Sequence, residues 1–356
     1  MTPIIAADLD TILDAPLAWE RFADKTILVA GAGGFLPAWM VWTLVRLNER
    51  SGRTPCRIIA LVRDPQRAEA RLGHLTADPN FHLVQADVAQ VSPDALAHFG
   101  PISFLIHAAS AAAPAAYLKD PVGTVLANIV GVNTLLHLAR RDRAEGVLYF
   151  SSGEVYGETG PGLITEDDYG YLDPTKLRSC YGEAKRAAET LCVAHHGQFG
   201  VPVRIVRPLH TYGPGISLND GRVFSDFVAD IVSHRDLVLR SDGSAKRPFC
   251  YVADATLGFF TVLLKGADAT PYMVGNPQGL VSIKELALLL TREAFPERGL
   301  SVRFAAPEDA LPKTPISGAL PDIGRILQLG WAPTTSVITG FRRTVMSFES
   351  EGGHLA

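Results

Sequence analysis

A strand that runs straight into a glycine-rich turn constrains this chain more than any other feature. Thr26-Ile-Leu-Val-Ala30 is continuously apolar and rich in β-branched residues, and Gly31-Ala-Gly33-Gly34-Phe35-Leu36-Pro37 follows without a break. A helical stretch, Phe35 to Leu47, comes next. A strand with no polar alternation is buried on both faces. Glycine allows the tight turn and lets the backbone approach a ligand, while the helix start offers unpaired N–H groups and a partial positive charge. Strand, glycine turn and helix in that order cradle the pyrophosphate of a dinucleotide. Pro37 stands where such turns often keep a third small residue; a first helical turn tolerates it, because its missing N–H has no intrahelical partner there.

The same alternation continues. Arg57–Val62, His82–Gln85, Ser103–His107, Val147–Phe150 and Val203–Val206 read as buried strands, and Val122–Arg140 and Tyr181–His196 read as helices between them. Five or more strand–helix alternations specify an α/β fold, a doubly wound parallel sheet covered on both faces. After Val206 the rhythm breaks at Gly213-Pro214-Gly215 and again at Gly221. The expected organisation is an extension over 1–24 with a helical turn or two between Asp8 and Leu17, and a dinucleotide-binding domain over 25–207. A smaller substrate lobe follows, mainly over 208–347 with segments returning to the first domain, and then a tail over 348–356. The alanine run Ser110–Ala116 reads as a loop after a strand.

Charge and composition exclude several classes. Lys plus Arg total 33 against 37 Asp plus Glu, a net charge of −4, so no basic excess exists to meet a nucleic-acid backbone. The low-charge run Ile102–Leu118 contains His107, Ser110 and Pro114 and is shorter than the roughly 20 apolar residues of a membrane span, so no membrane association is expected. Asp8, Asp10 and Asp14 without a basic n-region give no expectation of a secretory signal. Cys56, Cys180, Cys192 and Cys250 form no C-x-x-C pair, which suits reduced thiols and a cytoplasmic protein. The ten histidines lack zinc-ligand spacing, so no metal is expected. His195 and His196 read as a solvated or interface pair, Cys180 as packing, Trp39 and Trp42 as core, and Phe259-Phe260 as packing within the lobe.

Chemistry concentrates in two segments. Tyr181 and Lys185 are four apart at a helix start and so share a face, where an ammonium would lower the phenol pKa from its ordinary value near 10. A tyrosinate can accept a proton from a sugar hydroxyl while hydride leaves to a nicotinamide. The strand Val147–Phe150 ends in Ser151-Ser152-Gly153-Glu154, at the end of a central strand that faces the ligand crevice. Ser152 can bond the same hydroxyl, and Glu154 can act as acid or base one step along the sugar. The second strand ends in Arg63 where many dinucleotide sites carry an acid, which leaves NADP open beside NAD; Asp87 is a candidate on the adenine side.

With these residues in view, the chain resembles an extended short-chain dehydrogenase/reductase of the nucleotide-sugar epimerase/dehydratase family over about residues 24 to 290. Several segments are most similar to the UDP-glucuronate decarboxylase branch: Arg178-Ser-Cys-Tyr-Gly-Glu-Ala-Lys-Arg-Ala-Ala-Glu-Thr190, Asn219-Asp-Gly-Arg-Val223, Gly243-Ser-Ala-Lys-Arg247-Pro-Phe-Cys-Tyr-Val-Ala-Asp254, and His107-Ala-Ala-Ser with Tyr117 and Asn128 downstream. The resemblance implies NAD held by Gly31, Gly34, Phe35, Leu36, Arg63, Asp87, Val88, Ala108, Tyr181 and Lys185. It implies a redox triad of Ser152, Tyr181 and Lys185, with Glu154 and Arg247 acting at the sugar and phosphates. Tyr117, Asn128, Arg178, His210 and Arg222 then line a nucleotide-sugar substrate, and a homodimer forms through the helices Val122–Arg140 and Tyr181–His196. Two positions depart from the family. Gly153 replaces a hydroxyl residue of the decarboxylases and an aspartate of the 4,6-dehydratases, and His210 replaces a phosphate-loop asparagine. The expected reaction oxidises C4 of the sugar and then decarboxylates a uronic acid. The alternatives are a 4-epimerase, then a 4,6-dehydratase, and, from another class, a non-catalytic cofactor-binding regulator.

Overall fold

The computed structural model describes residues 1–160, 162–219, 221–305 and 320–350. Asp220, within the Asn219–Val223 segment, and the tail beyond Ser350 lie outside the described residues. Seven strands form one sheet: β1 (Thr26–Ala30), β2 (Arg57–Val62), β3 (Phe81–Gln85), β4 (Phe104–His107), β5 (Gly146–Phe150), β6 (Val203–Pro208) and β7 (Pro271–Val274). Their spatial order is β7-β6-β5-β4-β1-β2-β3, and every pairing is parallel. This is the doubly wound sheet that the alternation specified. The order in which the chain adds strands reverses between β1 and β4, and the crevice at that reversal is where such sheets bind ligands. The seventh strand comes from the region read as lobe, a returning segment that completes the sheet.

Both faces of β1 are covered. Ile27 and Val29 enter one core with α2 (Phe35–Arg50) and α8 (Val252–Lys265), and Leu28 and Ala30 enter another with α5 (Pro121–Asp142) and α6 (Cys180–Phe199). Phe259 packs edge-on to Phe150 at 4.7 Å, and Phe260 meets Trp19 at 5.1 Å. The pair therefore seals the sheet and does not pack within the lobe, because α8 lies across the strands. Trp39 and Trp42 are core, as expected.

Four further expectations change. The first residues form α1 (Pro3–Leu13), a true helix started by the Thr2 cap and Pro3, longer and earlier than the turns read at Asp8–Leu17. It buries Ile5, Leu9 and Ile12. Asp8 on its buried face accepts from the Tyr251 hydroxyl at 2.6 Å and from Arg343 at 2.6 Å, tying the first helix to the C-terminal one. The alanine run is only partly a loop, since it ends in a short helix, α4 (Pro114–Lys119), begun by Pro114. A longer uncharged run than Ile102–Leu118 exists: α5 is long and apolar enough to cross a membrane by length and composition. It lies against the sheet here, burying Asn128, Leu135, Leu136 and Ala139. Of His195 and His196, the first is not solvated and the second is half-buried. His195 is buried with Nε2 at 3.0 Å from Asn133, and His196 Nδ1 is 3.0 Å from the Val201 carbonyl.

Leu9 is fully buried between α1 and the helices beneath it. Leu9→Ala should cost about 2–5 kcal/mol, the range for emptying a packed leucine site. Chemical denaturation of parent and variant measures it, and a loss within error would mean that α1 contributes nothing to the core.

Candidate active site

Backbone geometry alone makes the first half of the site. Gly31 sits at φ +80°, where side chains are strained, and a Cβ on it would lie 2.6 Å from Ala109 Cα. The turn after β1 can therefore lie directly against the turn after β4. Gly31 N–H and Ala32 N–H bond the Leu61 carbonyl at 2.9 and 3.3 Å, and Gly34 N–H bonds the Gly31 carbonyl at 2.8 Å. Gly34 starts α2 with no capping side chain. The first N–H groups of α2, on Phe35 and Leu36, have no carbonyl of their own helix to bond. Pro37 fits in that first turn, with its ring against Gly34.

Arg71, which sequence reasoning passed over, joins the core residues Trp39 and Trp42 in strapping this turn to the loop after β6. Trp39 Nε1 donates to the Pro214 carbonyl at 3.0 Å. Arg71 donates to the Gly215 carbonyl at 2.9 and 3.2 Å and to the Gly33 carbonyl at 3.0 Å. Trp42 Nε1 in turn bonds the Arg71 carbonyl at 3.0 Å. Nothing local in the sequence marks these contacts, because 144 positions separate Arg71 from Gly215.

The other cofactor candidates lie around the same crevice. Ala108 N–H bonds the Ala30 carbonyl at 3.0 Å, holding the β4 turn beside Gly31. The Asp87 carboxylate accepts from Ala89 N–H at 2.9 Å. Val88 is buried under α5, within 2.7 Å of where a Gly131 Cβ would stand, so only its backbone is left for a ligand. Arg63 is exposed at the end of β2 and sits 3.5 Å from Asp120.

The second half of the site is where α6 meets the end of β5. Tyr181 and Lys185 are both buried. Lys185 Nζ donates to the Phe150 carbonyl at 2.5 Å and lies 5.6 Å from the centre of the Tyr181 ring. The Ser152 hydroxyl lies beside the Tyr181 phenol, where it favours the ionised form, and caps the turn that carries Glu154. The electrostatics differ from the simple expectation of a tyrosine acidified by its lysine. Burial pushes the Tyr181 phenol up to about 12, with Glu154 and Tyr117 adding to the rise and Ser152 and Arg222 opposing it. Burial likewise pulls Lys185 down to about 7, opposed by Glu189. A low-dielectric pocket penalises both charged forms, so the ligand-free site rests on phenol and a weakened ammonium.

Charged groups gather beside this pair. Glu154 is 3.2 Å from Arg178, and its charge also acts on Arg247. Arg247 donates to the Lys246 carbonyl at 2.7 Å. His210 follows β6 in the left-handed region, at φ +32°, and opens into the cleft; its depth and the charges of Arg247 and Arg222 hold the imidazole neutral. Two candidates sit deeper than a substrate contact requires. Tyr117 is 1% exposed and stacks on Tyr181, with ring centres 5.2 Å apart and planes within 4°. Asn128 is fully buried: its amide donates to Ser110 Oγ and the Thr124 carbonyl, both at 2.8 Å, and its oxygen accepts from Tyr149 at 3.3 Å. Asn128 thus braces the β4 turn from below. A side chain at Gly153 would point at Leu209, whose Cδ2 lies 2.7 Å from the Cβ position, and not into open space. Among the described residues, no group of three or more His, Cys, Asp or Glu side chains could hold a metal ion.

Residues 27–275 match the NAD dependent epimerase/dehydratase family. The chain belongs to that family. Its relatives include UDP-glucuronic acid decarboxylase 6 of Arabidopsis thaliana, 31% identical over 331 residues that cover 92% of this chain and 90% of the relative. UDP-glucuronic acid decarboxylase 1 of Xenopus tropicalis is 31% identical over 334 residues, covering 93% and 74%. Among solved structures, UDP-glucuronic acid 4-epimerase from Bacillus cereus with UDP-glucuronic acid and NAD superposes with a TM-score of 0.75 at 21% identity, covering 92% of this chain and 99% of that one. The dTDP-glucose 4,6-dehydratase from Bacillus anthracis with NAD gives 0.74 at 19% identity, covering 92% and 97%. At these identities the structural likenesses show the fold alone.

The cofactor of this epimerase/dehydratase family member is NAD, and the crevice fits it. The turn at Gly31 packs on the β4 turn more closely than any Cβ would allow, and the start of α2 beside it presents unpaired N–H groups to a pyrophosphate. Gly34 has an ordinary backbone, φ −71°, so a side chain there leaves the turn able to form while crowding the cradle beside Pro37. Gly34→Val is expected to fold and to lose its retained nicotinamide cofactor. Absorbance and mass analysis of the heat-released nucleotide check this; cofactor at the parental level would mean that the pyrophosphate lies elsewhere.

Proposed function

We propose that this chain is an NAD-dependent decarboxylase of a nucleotide-linked uronic acid, with UDP-glucuronate as the first substrate to test. The observation that carries the reading is the pairing of Glu154 with Arg178 beside the Ser152–Tyr181 contact, in a chain similar to UDP-glucuronic acid decarboxylases over nine-tenths of its length. NAD, when bound, would serve as the electron sink, accepting hydride from C4 and supplying it again at the end. Ser152 orients the C4 hydroxyl, and Tyr181, once its own proton has gone to solvent under the charge of the bound cofactor and the Lys185 ammonium, takes the hydroxyl proton. The resulting C4 ketone is β to the carboxylate, so the C5–C6 bond can break with its electron pair entering a C4–C5 enolate as CO2 leaves. Glu154, released from Arg178 when substrate enters and protonated from solvent, is placed to deliver that proton to C5. Tyr181 then returns its proton to O4. Arg247 and Arg222 hold the diphosphate, since planar guanidiniums pair with phosphate oxygens in bidentate fashion. Gly153 leaves that position with no group to protonate a departing hydroxide, which disfavours dehydration.

The chain is also proposed to pair with a second copy. Val122, Leu126 and Val130 line one stripe of α5 and Val193 adds to it on α6, all exposed. An apolar stripe of this kind suits a four-helix contact between identical chains. The described cysteines are all free, which supports a reducing, cytoplasmic setting.

Mass spectra of products from a panel of nucleotide sugars test the reaction. Loss of CO2 from UDP-glucuronate is expected. Unchanged mass with inverted C4 would make the enzyme an epimerase, and loss of water a dehydratase. Tyr181→Phe should lower turnover by about 10²–10⁴-fold, the usual contribution of a general acid–base group, with little change in nucleotide-sugar binding. Glu154→Gln should still oxidise C4 but stall afterwards, so that reduced-cofactor absorbance accumulates in a single turnover. Parental turnover in either variant would remove that residue from the mechanism.

A further inference from the structure

Three consecutive residues at the end of β5 engage three residues on one face of α6. Tyr181, Lys185 and Glu189 are spaced by four and so form a column along the helix. Ser152 lies beside the Tyr181 phenol, the Phe150 carbonyl takes the Lys185 ammonium at 2.5 Å, and Ser151 Oγ donates to Glu189 Oε1 at 2.5 Å. The first two contacts belong to the redox site; the third has no part in it so far. Glu189 is 8% exposed and is gripped from the other side by Arg207, whose Nε and Nη2 donate at 2.8 and 2.6 Å. Arg207 is itself completely buried on β6. Its remaining donors go to the Tyr156 hydroxyl at 3.2 Å, the Glu166 carbonyl at 2.7 Å and the Tyr169 hydroxyl at 3.0 Å. All five guanidinium donors are engaged, so the Glu189 carboxylate is held in one orientation.

We propose that Glu189, fixed by Arg207 and Ser151, is a positioning residue for the redox step, holding the Ser151-Ser152 segment in register with Tyr181 and supplying the negative charge that faces the Lys185 ammonium. The inference rests on the reading of Tyr181 and Lys185 as the redox pair, and it holds for whichever sugar is the substrate. The groups around Lys185 explain why that charge matters. On α6 they are Tyr181, Cys192 and Glu189; from β5 comes the Tyr149 ring, 4.9 Å from Nζ; from β4 comes His107, buried and kept neutral, partly by the lysine's own charge. Arg207 on β6 adjoins this set by its bonds to Glu189. Glu189 is the one carboxylate in this set, and it opposes the burial that drives Lys185 toward neutrality. A buried ion pair adds little to stability by comparison with apolar side chains of the same size, so a role in orientation and charge accounts for its presence better than bracing alone.

Lysines carrying carbon-13 at Cε, in the purified holoenzyme, give the test. The Lys185 signal is assigned by its loss in Lys185→Arg, and its titration midpoint is then followed by NMR. Removing the facing carboxylate in Glu189→Gln should lower that midpoint by about one pH unit or more, the usual effect of an opposite charge within about 4–6 Å. The basic limb of the kcat profile should move down with it, and Glu189→Asp should restore most of the shift. Ser151→Ala should leave the midpoint in place but lower kcat several-fold with KM nearly unchanged. Should Glu189→Gln not fold, Glu189→Met/Arg207→Met removes both charges together, and a smaller fall in the same direction is expected, because Glu189 acts on Lys185 more strongly than Arg207 does. A midpoint equal to the parent's in the variant that folds, whatever happens to its melting temperature, would reduce Glu189 to a structural brace. The NMR midpoint needs no substrate, so an unexpected product would overturn the decarboxylase reading and leave this result standing.

Discussion

The molecule is organised around one close approach, the contact of the β1 turn with the β4 turn at Gly31. A hydrogen in place of a Cβ lets these two backbones come within 2.6 Å of the position a side chain would take. That contact lies at the reversal of the strand order, so it determines how the sheet opens into a crevice and where α2 begins. The straps from Trp39 and Arg71 then bring the loop after β6 over the same turn. Position of cofactor and position of substrate loop are therefore set by a single piece of backbone.

Burial does the electrical work at the other half of the site. Tyr181 and Lys185 are pushed toward their neutral forms because the same apolar enclosure surrounds both. The enclosure is useful only if something restores charge when substrate is present. The column on α6 provides a fixed carboxylate on one side, and a bound nicotinamide would bring a positive ring to the other. Glu154 and Arg178, paired at 3.2 Å, keep a second acid in reserve without adding a net charge to the cleft.

Family membership and reaction rest on different kinds of information. One fold serves more than one reaction, which is why a solved epimerase and a solved dehydratase superpose on this chain equally well, with TM-scores of 0.75 and 0.74. The choice among reactions lies in a few side chains near the sugar. Gly153, backed by Leu209 where another residue would need room, is one such position. His210, held in a left-handed conformation that asparagine adopts more readily, is another.

Much of this was legible in the chain itself. Six central strands, the helices between them and the Tyr181–Lys185 pair follow from periodicity, since a strand buried on both faces has to be continuously apolar and a helix repeats every few residues. The sequence by itself determined the sheet, the glycine turn and the placing of Tyr181 and Lys185 on one helix face. It could not reveal that α1 docks through Asp8 onto Tyr251 and Arg343, that Phe260 closes the sheet, or that Arg71 reaches Gly215. Nor did it show that Tyr117 lies flat on Tyr181, or that Glu189 faces Lys185 under the grip of Arg207. These contacts join positions far apart in the chain, and the pKa of each site residue depends on how deeply the whole fold buries it. Periodicity is a local property that neighbours in sequence impose, whereas desolvation and long-range contact exist only once the layers have closed.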